Sequence, residues 1–334
     1  MNPAEENKEN GTERIAVILP AYNEEQTIRD TILEFHRALP EASLYVINNN
    51  SNDKTAAISR DTLHELRVSG AVIEESRQGK GNALRRAFQD IEADIYLLAD
   101  ADMTYPSEQA WELLTPIRDD KADMVVGERF SNGQFANQNK RPFHNFGNRL
   151  IQGTVNMLFA SKLTDVMSGY RAFSRRFVKN YPILVEGFQI ETDMTLHALH
   201  YRFRILEIPV AYRDRPVGSS SKLHTFSDGA KVIFTIAQIL RYYRPLFFFS
   251  LLTALSAGCG LWAAIPVFRD WIETRFISHV PLAILAAALE MVATMLFGIG
   301  LMLDSQTYYQ KLVYELHLLE QERPGTSSSA SNSK

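Results

Sequence analysis

Two aspartates one residue apart, Asp100 and Asp102, close the apolar run IYLLA. At the end of a strand, residues i and i+2 point to the same side. That spacing aims two hard carboxylates at one point, a donor set suited to Mg2+ or Mn2+, with the remaining ligands taken from a diphosphate. A bare D-x-D is short, and most such pairs are solvated acids at a strand end. This pair follows a run that predicts a buried strand. Three more polar clusters follow short apolar runs in the same way: AYNEE (21–25), NNNSND (48–53) and GERF (127–130). Gln78-Gly79-Lys80-Gly81-Asn82 resembles a phosphate loop only loosely, and alone it reads as a turn into a helix.

These clusters need a frame to bring them together. RIAVILP, SLYVIN, AVIEE, DIYLLAD and DMVVG predict strands, and 24–39, 55–67, 80–91 and 107–119 predict the helices between them. Strands and helices in alternation make an α/β domain with a mainly parallel sheet covered on both faces. Ligands of such sheets bind beyond the carboxyl ends of the strands, where all four clusters fall. There is no G-x-G-x-x-G after the first strand and no G-x-x-x-x-G-K-[ST], which disfavours Rossmann hydride transfer and P-loop hydrolysis. The net charge of −4 advertises no nucleic acid, and the single Cys259 excludes an internal disulfide and a cysteine metal cluster.

The carboxyl-terminal third differs in kind. Residues 245–268 carry no formal charge, and 280–303 carry one, Glu290. At a rise of 1.5 Å, each stretch reaches about 36 Å, enough for a hydrocarbon core of about 30 Å. The expectation is a two-helix transmembrane hairpin (245–303), preceded by an amphipathic interface helix (227–244) and followed by a tail (304–334). Residues 1–13 have no apolar stretch of a signal peptide and read as a disordered lead, so 14–226 is expected as a cytosolic catalytic domain of a multi-pass inner-membrane protein. Lys231, Arg241 and Arg244 before the first span and Lys311 after the second, against Arg269 and Arg275 in the loop, agree with that orientation. Glu290 reads as a helix-packing or oligomer contact, because one carboxylate makes no proton relay.

The motifs taken together resemble the inverting family-two glycosyltransferases of the GT-A fold. PAYNEE (20–25), NNNSNDKT (48–55), QGKGNALR (78–85) and DADMTYP (100–106) match the donor half in order and spacing. VVGERF (125–130), FGNRL (146–150), DVMSGYRAFSRRFV (165–178), GFQIETDMTLHAL (187–199) and RPVGSSSKLHTFSDG (215–229) continue the match. With the paired spans, the chain is most similar to the polyprenyl-phosphate glycosyltransferases, relatives of dolichyl-phosphate mannose synthase.

The resemblance implies a nucleotide-sugar donor, UDP- or GDP-linked, a polyprenyl phosphate acceptor and a divalent cation. It implies that Pro20, Ala21, Tyr22, Glu24, Asn48, Asn49, Asp53, Lys80 and Asp100 bind the donor, and that Asp100 and Asp102 hold the metal. Asn48 and Asn49 stand where relatives commonly carry aspartate, and Thr104 replaces a frequent glutamine. The acceptor phosphate is assigned to Arg129, Arg149, Ser168, Arg171, Arg215 and Lys222, with Gly153 where mannose synthases carry serine. A phosphate is already a nucleophilic oxyanion near neutral pH, so no catalytic base is needed. Glu191 and Asp193, which together with Asp102 make the catalytic set, are therefore expected to position acceptor or metal. Two readings compete: transfer to a sugar hydroxyl, to which Gln238-Ile-Leu-Arg241-Tyr242 lends a near match of the Q-x-x-R-W motif, and an inactive membrane scaffold.

Overall fold

The computed structural model of the chain describes residues 13–130, 142–185, 190–213 and 228–321. It divides into two compact units, one up to Thr225 and one from Phe226.

The first unit is built on one seven-stranded sheet, in the order β3-β2-β1-β4-β6-β5-β7. The strands are β1 (Ile15–Ala21), β2 (Ser43–Asn48), β3 (Gly70–Glu74), β4 (Ile95–Leu98), β5 (Met124–Glu128), β6 (Arg171–Ser174) and β7 (Ile205–Pro209). The helices are α1 (Ile28–Ala38), α2 (Thr55–Leu66), α3 (Lys80–Asp90), α4 (Ala110–Arg118), α5 (Pro142–Phe159), α6 (Arg175–Asn180) and α7 (Ile190–His200). β1, β4 and β5 are apolar along nearly their whole length and almost fully buried. That is the pattern of strands covered on both faces. The predicted elements up to β5 all form, with α1 starting at Ile28 rather than at Glu24 because Glu24 to Thr27 make a turn.

Register brings the site together. Ala21 pairs with Asn48 and Asn48 with Glu74, so β1, β2 and β3 end at one level. β6 runs antiparallel between β4 and β5, with Arg171 opposite both Leu98 and Val126. Its antiparallel entry delivers the segment before it, through Gly169 and Tyr170, to the edge where the parallel strands end. β6 and β7 carry no strong sequence signal of their own: β6 is the four-residue RAFS, half of it polar.

Among its described residues the second unit has three helices: α8 (Asp228–Tyr243), α9 (Pro245–Thr274) and α10 (Val280–Gln321). α9 begins with Pro245 at its first position, where a missing N–H costs nothing. α9 and α10 are long and apolar enough to cross a membrane. Their large apolar side chains face outward, Trp262 being 76% and Met302 75% exposed. A helical pair in a soluble core would turn those residues inward. The two helices form an antiparallel hairpin: the Ser256 hydroxyl donates to the Leu289 carbonyl at 2.9 Å, and Gly260 makes room for Glu290. A Cβ on Gly260 would lie 2.8 Å from Glu290 Oε1 and 3.3 Å from the Ala286 carbonyl oxygen. Glu290 is thus a helix-packing residue, its Oε1 buried in the seam. Arg241 donates to its neighbour Tyr242 on the exposed side of α8.

Candidate active site

The acidic pair lies just beyond β4, not within it. The strand ends at Leu98, and Asp100 to Thr104 form a turn in which Met103 takes a left-handed φ of +62°. Turn geometry, rather than strand alternation, aims the carboxylates. Asp102 is buried, and its Oδ1 accepts from the Thr104 amide at 3.2 Å and the Thr104 hydroxyl at 2.6 Å. Thr104 therefore holds Asp102 in place. Thr27 and Thr31, one turn apart on and before α1, clamp the turn from behind by donating to the Ala101 carbonyl at 2.8 and 3.2 Å. Nothing in the sequence marks these two threonines, because the contact joins segments about 70 residues apart.

Asp100 meets two residues from elsewhere in the chain. Lys80 Nζ lies 2.5 Å from Asp100 Oδ1 and 2.6 Å from Glu191 Oε1. Burial opposes the ammonium charge, but the two carboxylates more than offset it and hold Lys80 above its ordinary value. Lys80 is the first residue of α3, and Gly79 before it has φ +132°, a conformation open to glycine. Gly169 closes the group: a Cβ there would sit 3.0 Å from both Asp100 Oδ2 and Lys80 Nζ. Its amide donates to the Tyr105 hydroxyl at 2.9 Å. Asp193 does not join this group. Two residues along a helix is more than half a turn, so Glu191 faces Lys80 while Asp193 accepts from the Tyr181 hydroxyl at 2.6 Å. Burial raises the Asp193 carboxyl above its ordinary range, against the Tyr181 bond.

On the β2 side, the two asparagines differ. Asn49 spends its amide inside the protein: Oδ1 accepts from the Gly79 amide at 2.7 Å and Nδ2 donates to the Arg77 carbonyl at 2.7 Å. It ties the loop leading to Lys80 onto the end of β2. Asn48 Nδ2 donates to Glu74 Oε2 at 2.5 Å, which leaves Oδ1 as a buried acceptor without a partner. Because a carboxylate only accepts, Glu74 fixes which way the Asn48 amide points. Asp53 joins two loops, accepting from the Glu25 amide at 3.2 Å and from the Thr55 amide at 2.9 Å. Burial raises its carboxyl, but the Thr55 and Glu25 bonds prevail and hold it below its usual range. Pro20 and Ala21 finish β1, and Tyr22 and Glu24 follow in the turn that the Asp53 loop supports.

The expected acceptor residues separate. Arg171 is wholly buried; it donates to the Ser168 and Val166 carbonyls and to the Thr195 hydroxyl at 2.7–2.9 Å. Ser168 is equally buried. Both lie inside the 165–171 segment and help to shape it, Ser168 by accepting from the Tyr170 amide and Arg171 by its bonds to the Ser168 and Val166 carbonyls. Arg129 forks onto Asp165, at 2.7 and 2.9 Å. Arg149 is exposed on α5 and borders a cleft of about 260 Å3 that Asp165, Met167 and Phe130 also line. The space beside Gly153 on the same helix is open. Arg215 and Lys222 lie outside the described residues.

Two carboxylates are a sound beginning for a hard divalent cation, and Asp100 is the more exposed of the pair. Among the described residues no group of three or more acids, histidines and cysteines is arranged to hold a metal ion, and Glu191 reaches Asp100 only through Lys80. The donor set therefore fits an ion that takes its other ligands from a bound diphosphate or water.

A sequence model described as glycosyl transferase family 2 matches residues 16–181. The glycosyltransferase AglJ of Haloferax volcanii is 30% identical over 313 residues, which is 92% of this chain and 96% of that protein. The polyprenol monophosphomannose synthase of Mycolicibacterium smegmatis is 25% identical over 243 residues, 68% of this chain and 87% of that one. A crystal structure of glucosyl-3-phosphoglycerate synthase from Mycobacterium tuberculosis, holding Mn2+, UDP and phosphoglyceric acid, shares the fold at a TM-score of 0.52 and 21% identity, covering 70% of this chain and 80% of that one.

Proposed function

The chain belongs to glycosyl transferase family 2, and from that premise we propose that it moves a sugar from a UDP- or GDP-linked donor onto a membrane polyprenyl phosphate at the cytosolic face. The observation that carries this reading is the Asp100–Asp102 turn, joined to Lys80 at the carboxyl edge of the sheet, in a chain that ends in two membrane-length helices. A relative covered over 87% of its length is a polyprenol monophosphomannose synthase, which supports the lipid phosphate as acceptor.

In this reading Asp100 and Asp102 hold Mg2+ or Mn2+ against the donor diphosphate. Such an ion, when bound, neutralises charge on the departing nucleotide. Asn48 offers its buried carbonyl as an acceptor toward the base, and Asn49, Asp53, Thr27 and Thr31 keep the surrounding loops rigid. Arg149, beside its open cleft, receives the acceptor phosphate, with Arg215 and Lys222 assisting. Arg129, neutralised by Asp165, orients the segment that walls the cleft. The phosphate oxyanion attacks the anomeric carbon in line, with inversion. Glu191 is engaged by Lys80 and is not placed to act as a base, and Asp193 is turned toward Tyr181.

The test is a lipid-extraction assay. Membranes carrying the chain receive polyprenyl phosphate, Mg2+ or Mn2+ and labelled UDP- and GDP-sugars, with Asp102→Ala as control. Label enters the organic phase only with metal and only with the unaltered chain. Transfer to a water-soluble glycan instead, across the same panel, would refute the lipid acceptor and restore a hydroxyl one.

A further inference from the structure

Lys80 has an unusual situation for a residue next to a metal site. Its ammonium sits between two carboxylates delivered by distant parts of the chain, Asp100 from the β4 turn and Glu191 from α7. Its side chain is 9% exposed, and that of Glu191 8%, so neither is loosely solvated. Asp100 is the wetter of the two acids, 30% exposed, but two like charges about one point still repel, and a cation between them offsets this. Lys80 supplies that balance when the donor is absent. The same charge stands against a divalent ion arriving alone at Asp100, because Lys80 Nζ is within hydrogen-bonding distance of Oδ1, on the carboxylate the ion needs. A diphosphate changes the balance. It brings negative oxygens that can take over the ammonium, which frees Asp100 for the metal and leaves Glu191 as the dock to which Lys80 returns.

Gly169 is consistent with such a movement. A Cβ at this position would lie 3.0 Å from Lys80 Nζ and from Asp100 Oδ2, so glycine leaves clear the volume beside both groups. Glu191 also gains a definite role as the holder of Lys80, which accounts for a buried acid that phosphate chemistry does not need as a base.

We propose that Lys80 is a resident cation that shuts the Asp100–Asp102 site to a free divalent ion and opens it only when a nucleoside diphosphate draws the ammonium away, so that metal and nucleotide bind as a pair. This rests on the donor site argued above. Lys80 is then a positioning residue for the metal as well as a contact of the diphosphate, and Glu191 is its anchor.

The test measures Mn2+ binding by electron paramagnetic resonance to the detergent-solubilised full chain, with and without UDP or GDP. The unaltered chain should bind Mn2+ at least tenfold more tightly when its nucleotide is present. Lys80→Gln should bind Mn2+ without nucleotide at least tenfold more tightly than the unaltered chain, and most of the nucleotide effect should vanish. Lys80→Arg, which keeps the charge, should retain the dependence on nucleotide. The pair Lys80→Gln with Glu191→Gln removes the cation together with one acid, which guards against misfolding from unpaired carboxylates. It should show the same gain over Glu191→Gln alone. Nucleotide-free Mn2+ binding that is unchanged or weaker in Lys80→Gln than in the unaltered chain, and in the double variant than in Glu191→Gln alone, overturns the proposal while leaving the donor site standing. Failure of the unaltered chain to bind Mn2+ with either nucleotide overturns the donor site, and the proposal with it.

Discussion

Asn49→Asp exchanges one amide nitrogen for oxygen, and the structure makes that a costly exchange. Asn49 is 4% exposed. Aspartate would keep the acceptor for the Gly79 amide, but it would lose the donor now 2.7 Å from the Arg77 carbonyl and set an anionic oxygen against it. A buried polar group left unmatched costs about 1–3 kcal/mol, and an unpaired buried charge adds to that. The sum is about 3 kcal/mol at pH 7. In a unit of this size that lowers Tm by roughly 6–12 °C. The loss also has a pH signature. The new carboxyl is raised above its unfolded value of about 3.9, so the destabilisation is full above the folded pKa and fades as pH falls toward the unfolded one, where the protonated acid again donates to Arg77. Thermal unfolding of the detergent-solubilised chain at pH 7 and at pH 5 reads both effects. An unchanged Tm combined with lost UDP or GDP affinity would refute the reasoning, because it would mean that the Asn49 amide faces the ligand and not the loop before Lys80.

Two further outcomes follow from other parts of the molecule. His197, packed among Phe177, Tyr181, Tyr201 and Phe203, is pushed down to about 3 by burial. Its folded value lies below its unfolded one, so its contribution is intact above about pH 6.5 and is lost as pH falls toward 3. The loss from pH 7 to pH 5 is about 2 kcal/mol; His197→Phe should flatten that part of the stability profile in denaturant titrations, and an unaltered slope would show that His197 is charged in the fold. In the hairpin, Gly260→Leu should lower the melting temperature of the solubilised chain by several degrees, since its Cβ meets Glu290, Leu289 and Ala286. Gly258→Leu, two residues away with nothing within 4 Å, should leave it unmoved, and equal effects at the two positions would contradict the packing described for α9 and α10.

Much of the fold can be read from local pattern. The five parallel-type runs up to β5 are short, apolar and separated by helical periodicity, and nothing in the tertiary structure competes with them. The acid pair, the polar clusters at strand ends and the two membrane-length helices are legible for the same reason: each is a property of a contiguous stretch. The reading weakens where a residue's role depends on what reaches it from far along the chain. β6 could not be seen in RAFS, yet its antiparallel entry brings Gly169 to Asp100.

The site shows the same division. Residue types and spacing by themselves place two carboxylates and a set of amides at one edge of a parallel sheet, because ligands and polar clusters gather beyond the carboxyl ends of such strands, while Lys80 is assigned to that edge only through the family resemblance. Only the tertiary structure decided what each does. Asp100 and Asp102 lie in the turn beyond the strand, Asp102 held by Thr104 and Asp100 paired with Lys80. The helical angle separates Glu191 from Asp193, two acids that look equivalent in sequence. Arg171 is buried inside the fold, while Arg149 borders an open cleft. Charge at a distance acts through geometry: the sequence names the ions, but their partners are set by contacts between segments that only a folded chain brings within a few ångströms.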